Sequence, residues 1–281
     1  MTNLRVDLHM HTTSSDGTWS PEELVKEIKK NKIDVFAVTD HDSVDSVLKT
    51  EKIAKAKKLF FVRGVEISST RQGQFYHILG YHIDPHHKAL KAHLEENHKR
   101  LIPLNDRAFE YLEEQGHHID YEAYDHYTYD KKRGGWKFLN FIIDSKICKG
   151  IDDFFTTLFA GRLDLLFANF PDPKEAAQVI IKAGGIPILA HPDASLKEFS
   201  LDEKNEILDD LVKSGVAGLE CHSTYHKPEA TKKYLEYCKK KNLLITGGSD
   251  CHGGFVISRH LGEPEVYLSD LNLGPIFSVP R

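Results

Sequence analysis

The sequence predicts an α/β fold, namely a closed barrel of strands and helices with one helical insertion. Short apolar runs alternate with helical patterns along the chain, which is typical of parallel strands joined by crossover helices. Seven or eight such strands are expected, and this number favours a closed barrel over an open sheet. The alternation stops between about residues 88 and 168, where only charge-rich helical patterns follow.

The elements follow one another with recognisable start and stop signals. Ser20, Pro21 and Glu23 form a capping box with proline at the first helical position, and Asp172 begins a later helix in a similar way. That later helix is expected to end at Gly184. The predicted strands are residues 4–8, 34–38, 60–65, 186–190, 217–220 and 243–246, and further helices are predicted near 21–30, 44–57 and 228–241.

The middle of the chain predicts helices without a convincing strand between them. These helices are expected at residues 89–104, 106–115, 136–145 and 151–158. We therefore divide the chain into a barrel of residues 1–87 and 169–281, which carries the functional site, and an inserted helical subdomain of residues 88–168. The insertion is expected to cover the active site at one end of the barrel.

The composition excludes several classes of protein. Lys and Arg number 37 against 42 Asp and Glu in 281 residues, a net charge of −5, so a long nucleic acid is not expected as a partner. No apolar run approaches the roughly 18 residues of a membrane span, and the first residues lack the apolar segment of a signal peptide. The four cysteines show no CxxC spacing. We expect a cytoplasmic protein that does not bind membranes.

The 17 histidines are unusually many, and several follow predicted strands. Residues two apart on a strand face the same side, so His9 and His11 can point at one ion. A lone histidine at a strand end is more often an ordinary loop residue, but many such donors together favour metal binding. Strand ends of a barrel converge on one face, and nitrogen and carboxylate ligands suit Mn, Fe or Zn. The other donors are Asp16, His41, Glu66, His77, His191, Asp250 and His252.

Several motifs resemble those of the PHP (polymerase and histidinol phosphatase) phosphoesterase family. They are residues 7–12 (Asp-Leu-His-Met-His-Thr), 16–17 (Asp-Gly), 39–42 (Thr-Asp-His-Asp), 64–67 (Gly-Val-Glu-Ile), 190–192 (Ala-His-Pro) and 248–253 (Gly-Ser-Asp-Cys-His-Gly). The resemblance implies a distorted (β/α)7 barrel with two or three divalent metal ions. It implies one site of His9, His11, Glu66 and Asp250, a second of Glu66, His77 and His191 with Glu66 bridging, and a third of Asp16, His41 and His252.

Within that family the chain is most similar to a bacterial group with a helical insertion. This group includes nucleoside 3′,5′-bisphosphate phosphatases and 5′-3′ exonucleases that act on short RNA. The resemblance rests on residues 77–81 (His-Ile-Leu-Gly-Tyr), on the insertion that follows, and on residues 218–220 (Gly-Leu-Glu), which lead into His222 and His226. The chain departs from the group at residues 133–138 (Arg-Gly-Gly-Trp-Lys-Phe), where many members have Arg-x-His. Lys137 can replace the positive charge of that histidine but not its acid or base role.

The expected chemistry needs groups beyond the metal ligands. His222 and His226 are predicted to act as catalytic acids or as hydrogen-bond donors to the substrate phosphate, because histidine titrates near neutral pH. Arg133 and Lys137 are predicted substrate contacts. Each of these four residues is equally well explained as an ordinary surface residue. Asp40 and Asp42, which flank His41, are expected to support its ring from behind.

These residues favour a metal-dependent phosphoesterase that releases phosphate from a small phosphorylated substrate, and we expect a nucleotide of the nucleoside 3′,5′-bisphosphate type. Four alternatives remain open: an exonuclease on short oligonucleotides, a histidinol-phosphate-type phosphatase, a catalytically silent metal sensor and a nucleotide sensor.

Overall fold

The computed structural model describes residues 3–166 and 168–277 and contains a seven-stranded sheet whose strands are neighbours in sequence order. The strands are β1 (Val6–Asp7), β2 (Val35–Val38), β3 (Phe60–Arg71), β4 (Gln74–Tyr81), β5 (Ile186–Leu189), β6 (Gly218–Ser223) and β7 (Leu244–Gly248). The sheet curves until its first and last strands meet. The Leu8 amide donates to the Gly247 carbonyl at 3.1 Å, and the Asp250 amide donates to the His9 carbonyl at 2.8 Å. The predicted α/β barrel is confirmed.

The barrel is distorted because β4 runs antiparallel to both β3 and β5. β3 continues six residues beyond its predicted end at residue 65 and reverses at Gln72 and Gly73, which both have positive φ angles. A two-residue turn of this kind makes a hairpin and leaves no room for a crossover helix. The alternation of strands and helices in the sequence predicts parallel strands, and this prediction is wrong for β4.

Helices cover the barrel and fill the insertion. They are α1 (Pro21–Lys30), α2 (Val47–Ala56), α3 (Lys88–Glu114), α4 (Tyr121–His126), α5 (Lys137–Asp144), α6 (Ile151–Asp153), α7 (Pro173–Lys182), α8 (Pro192–Leu196), α9 (Leu201–Lys213) and α10 (Pro228–Lys241). Both predicted capping boxes are present at the starts of α1 and α7. α9 is absent from the predicted helices, although Ser200 and Glu203 form the same capping box. Among the residues that the structure describes, none of the helices is long and apolar enough to cross a membrane.

The insertion begins within a helix that it shares with the barrel. α3 is one continuous helix with Pro103 inside it, where two helices are predicted. Its first half packs Leu90 and Leu94 into the barrel core, and its second half packs Phe109 and Leu112 into a separate apolar cluster of the insertion. This separate cluster supports the predicted subdomain, whose boundaries remain a prediction. Residues 1, 2, 167 and 278–281 of the predicted ranges lie outside the described residues.

The insertion touches the loops at the carboxyl ends of the barrel strands. The Gly135 amide donates to the Asp16 carbonyl at 2.8 Å, and the Trp136 ring lies 6.4 Å from that of Phe255. Lys132 Nζ donates to Glu23 Oε1 of α1 at 2.6 Å. The segment just before α5 is thus joined to the loop that carries Asp16.

The close approach of β7 to β1 makes a testable demand on Gly248. A Cβ atom at Gly248 would lie 2.4 Å from His9 Cβ and 2.5 Å from His9 N, so β1 would have to move. We expect Gly248→Ala to lower the free energy of unfolding by roughly 1–3 kcal/mol, as overpacking does. Chemical denaturation measures the change. Gly150→Ala is the control, because nothing lies within 4 Å of its added Cβ; equal stability of the two variants would contradict the prediction.

Candidate metal centre

Four predicted ligands meet at the end of β1. His9 and His11 follow this strand and are completely buried. His9 Nε2 lies 3.1 Å from Glu66 Oε2 and 3.3 Å from Asp250 Oδ1. His11 Nε2 lies 2.9 Å from Asp250 Oδ1 and 3.3 Å from Glu66 Oε2. The four side chains each offer a ligand atom, and these atoms lie within 4.8 Å of one another. This is the set expected for the first metal ion.

The Glu66 carboxylate lies between this group and a second one. Its Oε1 atom is 3.1 Å from His77 Nδ1 and 3.1 Å from His191 Nε2. Its Oε2 atom faces His41 Nδ1 at 3.1 Å, on the side of His9 and His11. The carboxylate therefore occupies the position that a bridging ligand requires.

A third group surrounds Asp16. Asp16 Oδ2 lies 3.3 Å from His252 Nε2 and 3.9 Å from His41 Nε2, and Asp16 Oδ1 lies 3.8 Å from His11 Nδ1. His252 Nδ1 is 2.7 Å from the Asp250 carbonyl, a contact that leaves Nε2 free for a ligand role.

The structure differs from the expected grouping at His41. This residue joins Glu66 and His77 in one group, and Asp16, His11 and His252 in another. Each of its two nitrogens faces a different group, so His41 lies between the expected second and third sites rather than in the third alone.

The donor atoms fit divalent cations. Although His9 Nε2, His41 Nδ1 and Glu66 Oε2 are buried, they have no hydrogen-bond partner among the described residues. Buried polar atoms are normally paired, and here each of the two histidine nitrogens lies 3.1 Å from Glu66 Oε2 without the geometry of a hydrogen bond. Cations in the ligand groups that contain His9, His41 and Glu66 would satisfy these atoms. Imidazole nitrogens with carboxylate oxygens are a set that suits Mn, Fe or Zn.

Without a cation, protons balance the charge of the carboxylates. Burial alone would lower the pKa of His11, but the carboxylates of Asp250 and Glu66, at 2.9 and 3.3 Å from its Nε2 atom, raise it to about 10. Burial also opposes the charged form of His9, whose pKa is nonetheless held well above its usual value by Glu66, Glu220 and Asp250. At neutral pH His9 and His11 therefore carry protons that a metal ion must displace.

Proton displacement gives a measurable prediction. Metal binding to the metal-free protein at pH 7 should release about two protons, one from each of the two histidines with raised pKa values. Calorimetric titrations with Mn²⁺ in buffers of different ionisation enthalpy measure this number directly. Binding with no net proton release would show that His9 and His11 are already neutral.

Glu220 contacts two of the expected metal ligands, His9 and His191, on the side away from the metal centre. It is not among the predicted site residues. The buried carboxylate contacts His9 Nδ1 through Oε1 at 2.9 Å and accepts the His191 amide through Oε2 at 2.8 Å. It thereby orients His9 so that Nε2 faces Glu66. Its position at a strand end, like that of Glu66, is the sequence signal that could have identified it.

Asp40 and Asp42 form hydrogen bonds with neighbouring segments rather than with the His41 ring. Asp40 accepts hydrogen bonds from the Thr12 amide at 2.7 Å and from Ser15 Oγ at 2.8 Å. Asp42 accepts from Asn97 Nδ2 of α3 at 2.7 Å. The expected contact with His41 is thus replaced by contacts that place the Asp16 loop and α3.

His222 and His226 do not reach the metal centre. A bulge in β6 pairs Glu220 with Thr246 and His222 with the very next residue, Gly247. One extra residue reverses the in-and-out alternation of a strand. His222 accordingly lines a cavity of about 540 Å³ beside α10, while Glu220 faces His9.

The His226 ring has a structural role instead. Its Nδ1 atom donates to the Cys221 carbonyl at 2.9 Å, and its Nε2 atom accepts the Asp193 amide at 3.2 Å. Both nitrogens are therefore occupied, and neither is available to a substrate in this arrangement. Burial lowers the pKa of His226, which agrees with a neutral ring.

Arg133 and Lys137 are engaged within the insertion. The Arg133 guanidinium forms two hydrogen bonds with Asp144, at 2.7 and 2.8 Å. Lys137 Nζ lies 4.6 Å from the centre of the Tyr124 ring and donates to the Asp125 carbonyl at 3.2 Å. The structure therefore does not bring these two side chains to the metal ligands.

A barrel that gathers six histidines and three carboxylates at one end has the architecture of a metal-dependent hydrolase. A model of the PHP domain family matches residues 7–184, and the chain belongs to this family. The resemblance that the motifs predict is thus confirmed.

Three characterised relatives align along most of the chain. A 5′-3′ exoribonuclease of Haemophilus influenzae is 27% identical over 255 residues, covering 88% of this chain and 90% of the relative. A phosphoribosyl 1,2-cyclic phosphate 1,2-diphosphodiesterase of Eggerthella lenta is 26% identical, covering 91% and 97%. A 3′,5′-nucleoside bisphosphate phosphatase of Chromobacterium violaceum is 25% identical, covering 92% and 91%. The protein is accordingly an enzyme, a metal-dependent phosphoric ester hydrolase.

A solved structure shares the fold. It is that of a Chromobacterium violaceum protein described as an amidohydrolase, with bound sulfate and no metal. The two chains superpose with a TM-score of 0.78 at 23% identity, over 91% of this chain and 90% of the other.

The contact of Glu220 with His9 predicts a specific loss of metal affinity. Gln keeps the volume of the side chain but removes the charge, so it orients His9 less firmly. We expect Glu220→Gln to weaken metal binding by about 10–100-fold, as losses of such supporting groups do. Competition with a chelator measures the affinity. Glu51→Gln, which changes a surface partner of Arg63, is the control; equal affinities in both variants would refute the role of Glu220.

Proposed function

We propose that the enzyme hydrolyses a phosphate monoester of a small nucleotide, and that nucleoside 3′,5′-bisphosphates are its preferred class of substrate. The observation that carries this proposal is the set of three adjoining ligand groups, in which each two groups have one residue in common: His11, Glu66 or His41. The relative of Chromobacterium violaceum named for this activity aligns with 92% of the chain.

The ligand groups would hold two or three divalent ions of Mn, Fe or Zn. When bound, such ions supply a water of lowered pKa and neutralise charge on the phosphoryl oxygens. The exposure of the ligand side chains indicates from which side the substrate enters. His9, His11 and Glu66 are completely buried, whereas the side chains of His41 and His77 are 26% and 14% exposed. We place the reacting phosphate at the edge formed by His41 and His77.

The residues that approach this edge differ from those that the sequence suggests. Arg133 and Lys137 would have to leave Asp144 and Asp125 before they reached a substrate, and His222 and His226 have no part in the proposal. The Gly135 contact with Asp16 instead brings the main chain of the insertion beside the site. We expect the nucleoside part of the substrate to lie between the insertion and the barrel.

A second candidate function is removal of nucleotides from the 5′ end of short RNA. One surface of the insertion favours it. The rings of Tyr127 and Tyr129 are stacked at 6.4 Å, and Lys131 Nζ lies 4.7 Å from the centre of the Tyr129 ring. Stacked aromatic rings next to cations bind single-stranded nucleic acid. The net charge of −5 disfavours a long nucleic acid as substrate.

We further propose a cytoplasmic location. The four cysteines are buried free thiols, and a reducing compartment keeps thiols in this state.

A phosphate-release screen tests the proposed function. The wild-type enzyme, supplied in turn with Mn²⁺, Fe²⁺ and Zn²⁺, is assayed on 3′,5′-bisphosphates, mononucleotides, histidinol phosphate, sugar phosphates and short RNA. We expect the highest kcat/KM with the bisphosphates. Faster release of mononucleotides from short RNA would favour the exonuclease, and no release from any substrate would favour a sensor.

The same screen tests the ligand role of Asp250. We expect Asp250→Asn to lower kcat/KM by more than about 100-fold, because even the groups that support ligands are typically worth 10–100-fold. Asp202→Asn, at an exposed position of α9, should keep wild-type activity. Retained activity of Asp250→Asn would contradict the proposed ligand set.

A further inference from the structure

We propose that Arg259 is a positioning residue that makes Asp250 a monodentate metal ligand. In this proposal Tyr225 holds Arg259 in place. This inference rests on the proposed metal centre. Neither residue belongs to the sequence motifs, and Arg259 lies in a loop without helix or strand.

The two oxygens of the Asp250 carboxylate face different partners. Oδ1 points to the metal centre, 2.9 Å from His11 Nε2 and 3.3 Å from His9 Nε2. Oδ2 points away and accepts a hydrogen bond from Arg259 Nη1 at 2.6 Å. A short charge-assisted bond of this kind is strong. Oδ2 is thus withdrawn from the cation, while Oδ1 remains available to it.

The backbone of Asp250 leaves only the side chain to be positioned. Its φ angle is +52°, an uncommon conformation for a residue other than glycine. Its amide donates to the His9 carbonyl at 2.8 Å, which ties the residue to the end of β1. With the main chain held there, the direction of the carboxylate depends on rotation of the side chain. The bond to Arg259 restrains that rotation.

Arg259 is itself held by an aromatic partner. Its Nη2 atom donates to the Tyr225 hydroxyl, and the guanidinium carbon lies 4.7 Å from the centre of the Tyr225 ring. The other side of this contact reaches a second predicted ligand, because the Tyr225 ring lies 4.7 Å from the His191 ring. Asp250 and His191 are expected at different metal sites. A chain of contacts through Arg259 and Tyr225 therefore connects the two sites at the mouth of the barrel.

An ordinary ion pair would have a different effect from a positioning residue. Arg63 and Glu51 form such an ordinary pair, with two hydrogen bonds of 2.8 Å and both side chains 38% exposed. Loss of such a pair changes only stability, and by little. Loss of Arg259 should change how Asp250 coordinates a cation, which stability alone does not report.

The test compares Arg259→Gln with Arg63→Gln in the whole protein. We expect Arg259→Gln to weaken binding of Co²⁺ by about 10–100-fold in chelator competition, as losses of supporting groups do. The visible spectrum of bound Co²⁺, which reports coordination number, should change because Asp250 becomes free to bind through both oxygens. Arg63→Gln should retain the wild-type affinity and spectrum.

Two milder variants keep the inference falsifiable if Arg259→Gln does not fold. Arg259→Lys keeps the charge near Asp250 but replaces the planar guanidinium fork with a single ammonium group, and Tyr225→Phe removes only the hydroxyl. Both should show a smaller loss of affinity in the same direction. Wild-type affinity and an unchanged spectrum in Arg259→Gln, or in both milder variants, would overturn the inference. Failure of the wild-type protein to bind Co²⁺ would instead overturn the proposed metal centre.

Discussion

The buried carboxylate of Glu66 is the constraint around which the site is organised. A carboxylate without exposure to water is costly unless positive or polar partners surround it. Here five histidine rings approach it to within 3.3 Å. Those rings come from segments that follow or form four different strands, so the compensation exists only when the barrel is closed. The ligand groups are therefore brought together only in the folded barrel.

Much of this centre could be predicted because the ligands are local features of strand ends. Two histidines separated by one residue share a face, as His9 and His11 do, and a barrel brings its strand ends together whatever their separation in sequence. The first ligand set follows from these two rules and from the family motifs. The capping residues of α1 and α7 were equally readable, since each cap depends only on neighbours within four residues.

The features that escaped prediction depend on single-residue shifts or on distant contacts. The bulge in β6 turns His222 away from a site that the alternation of the strand would have given it. Glu220 contacts His9, which lies 211 positions away, and Arg259 contacts Asp250 from a loop without helix or strand, so the sequence pattern does not give these contacts. The continuity of α3 through Pro103 likewise results from packing on two apolar clusters, which a local rule for proline does not include.

The hydrogen bond from Gly135 to the Asp16 carbonyl has a thermodynamic consequence. It joins the main chain of the insertion to a loop whose side chain faces His252 and His41. Linkage between two binding events is reciprocal. Whatever orders the insertion around a nucleotide therefore also favours the loop conformation that a cation needs, and a cation held by Asp16 favours the ordered insertion in return. Substrate and metal would then each increase the affinity for the other through this main-chain contact.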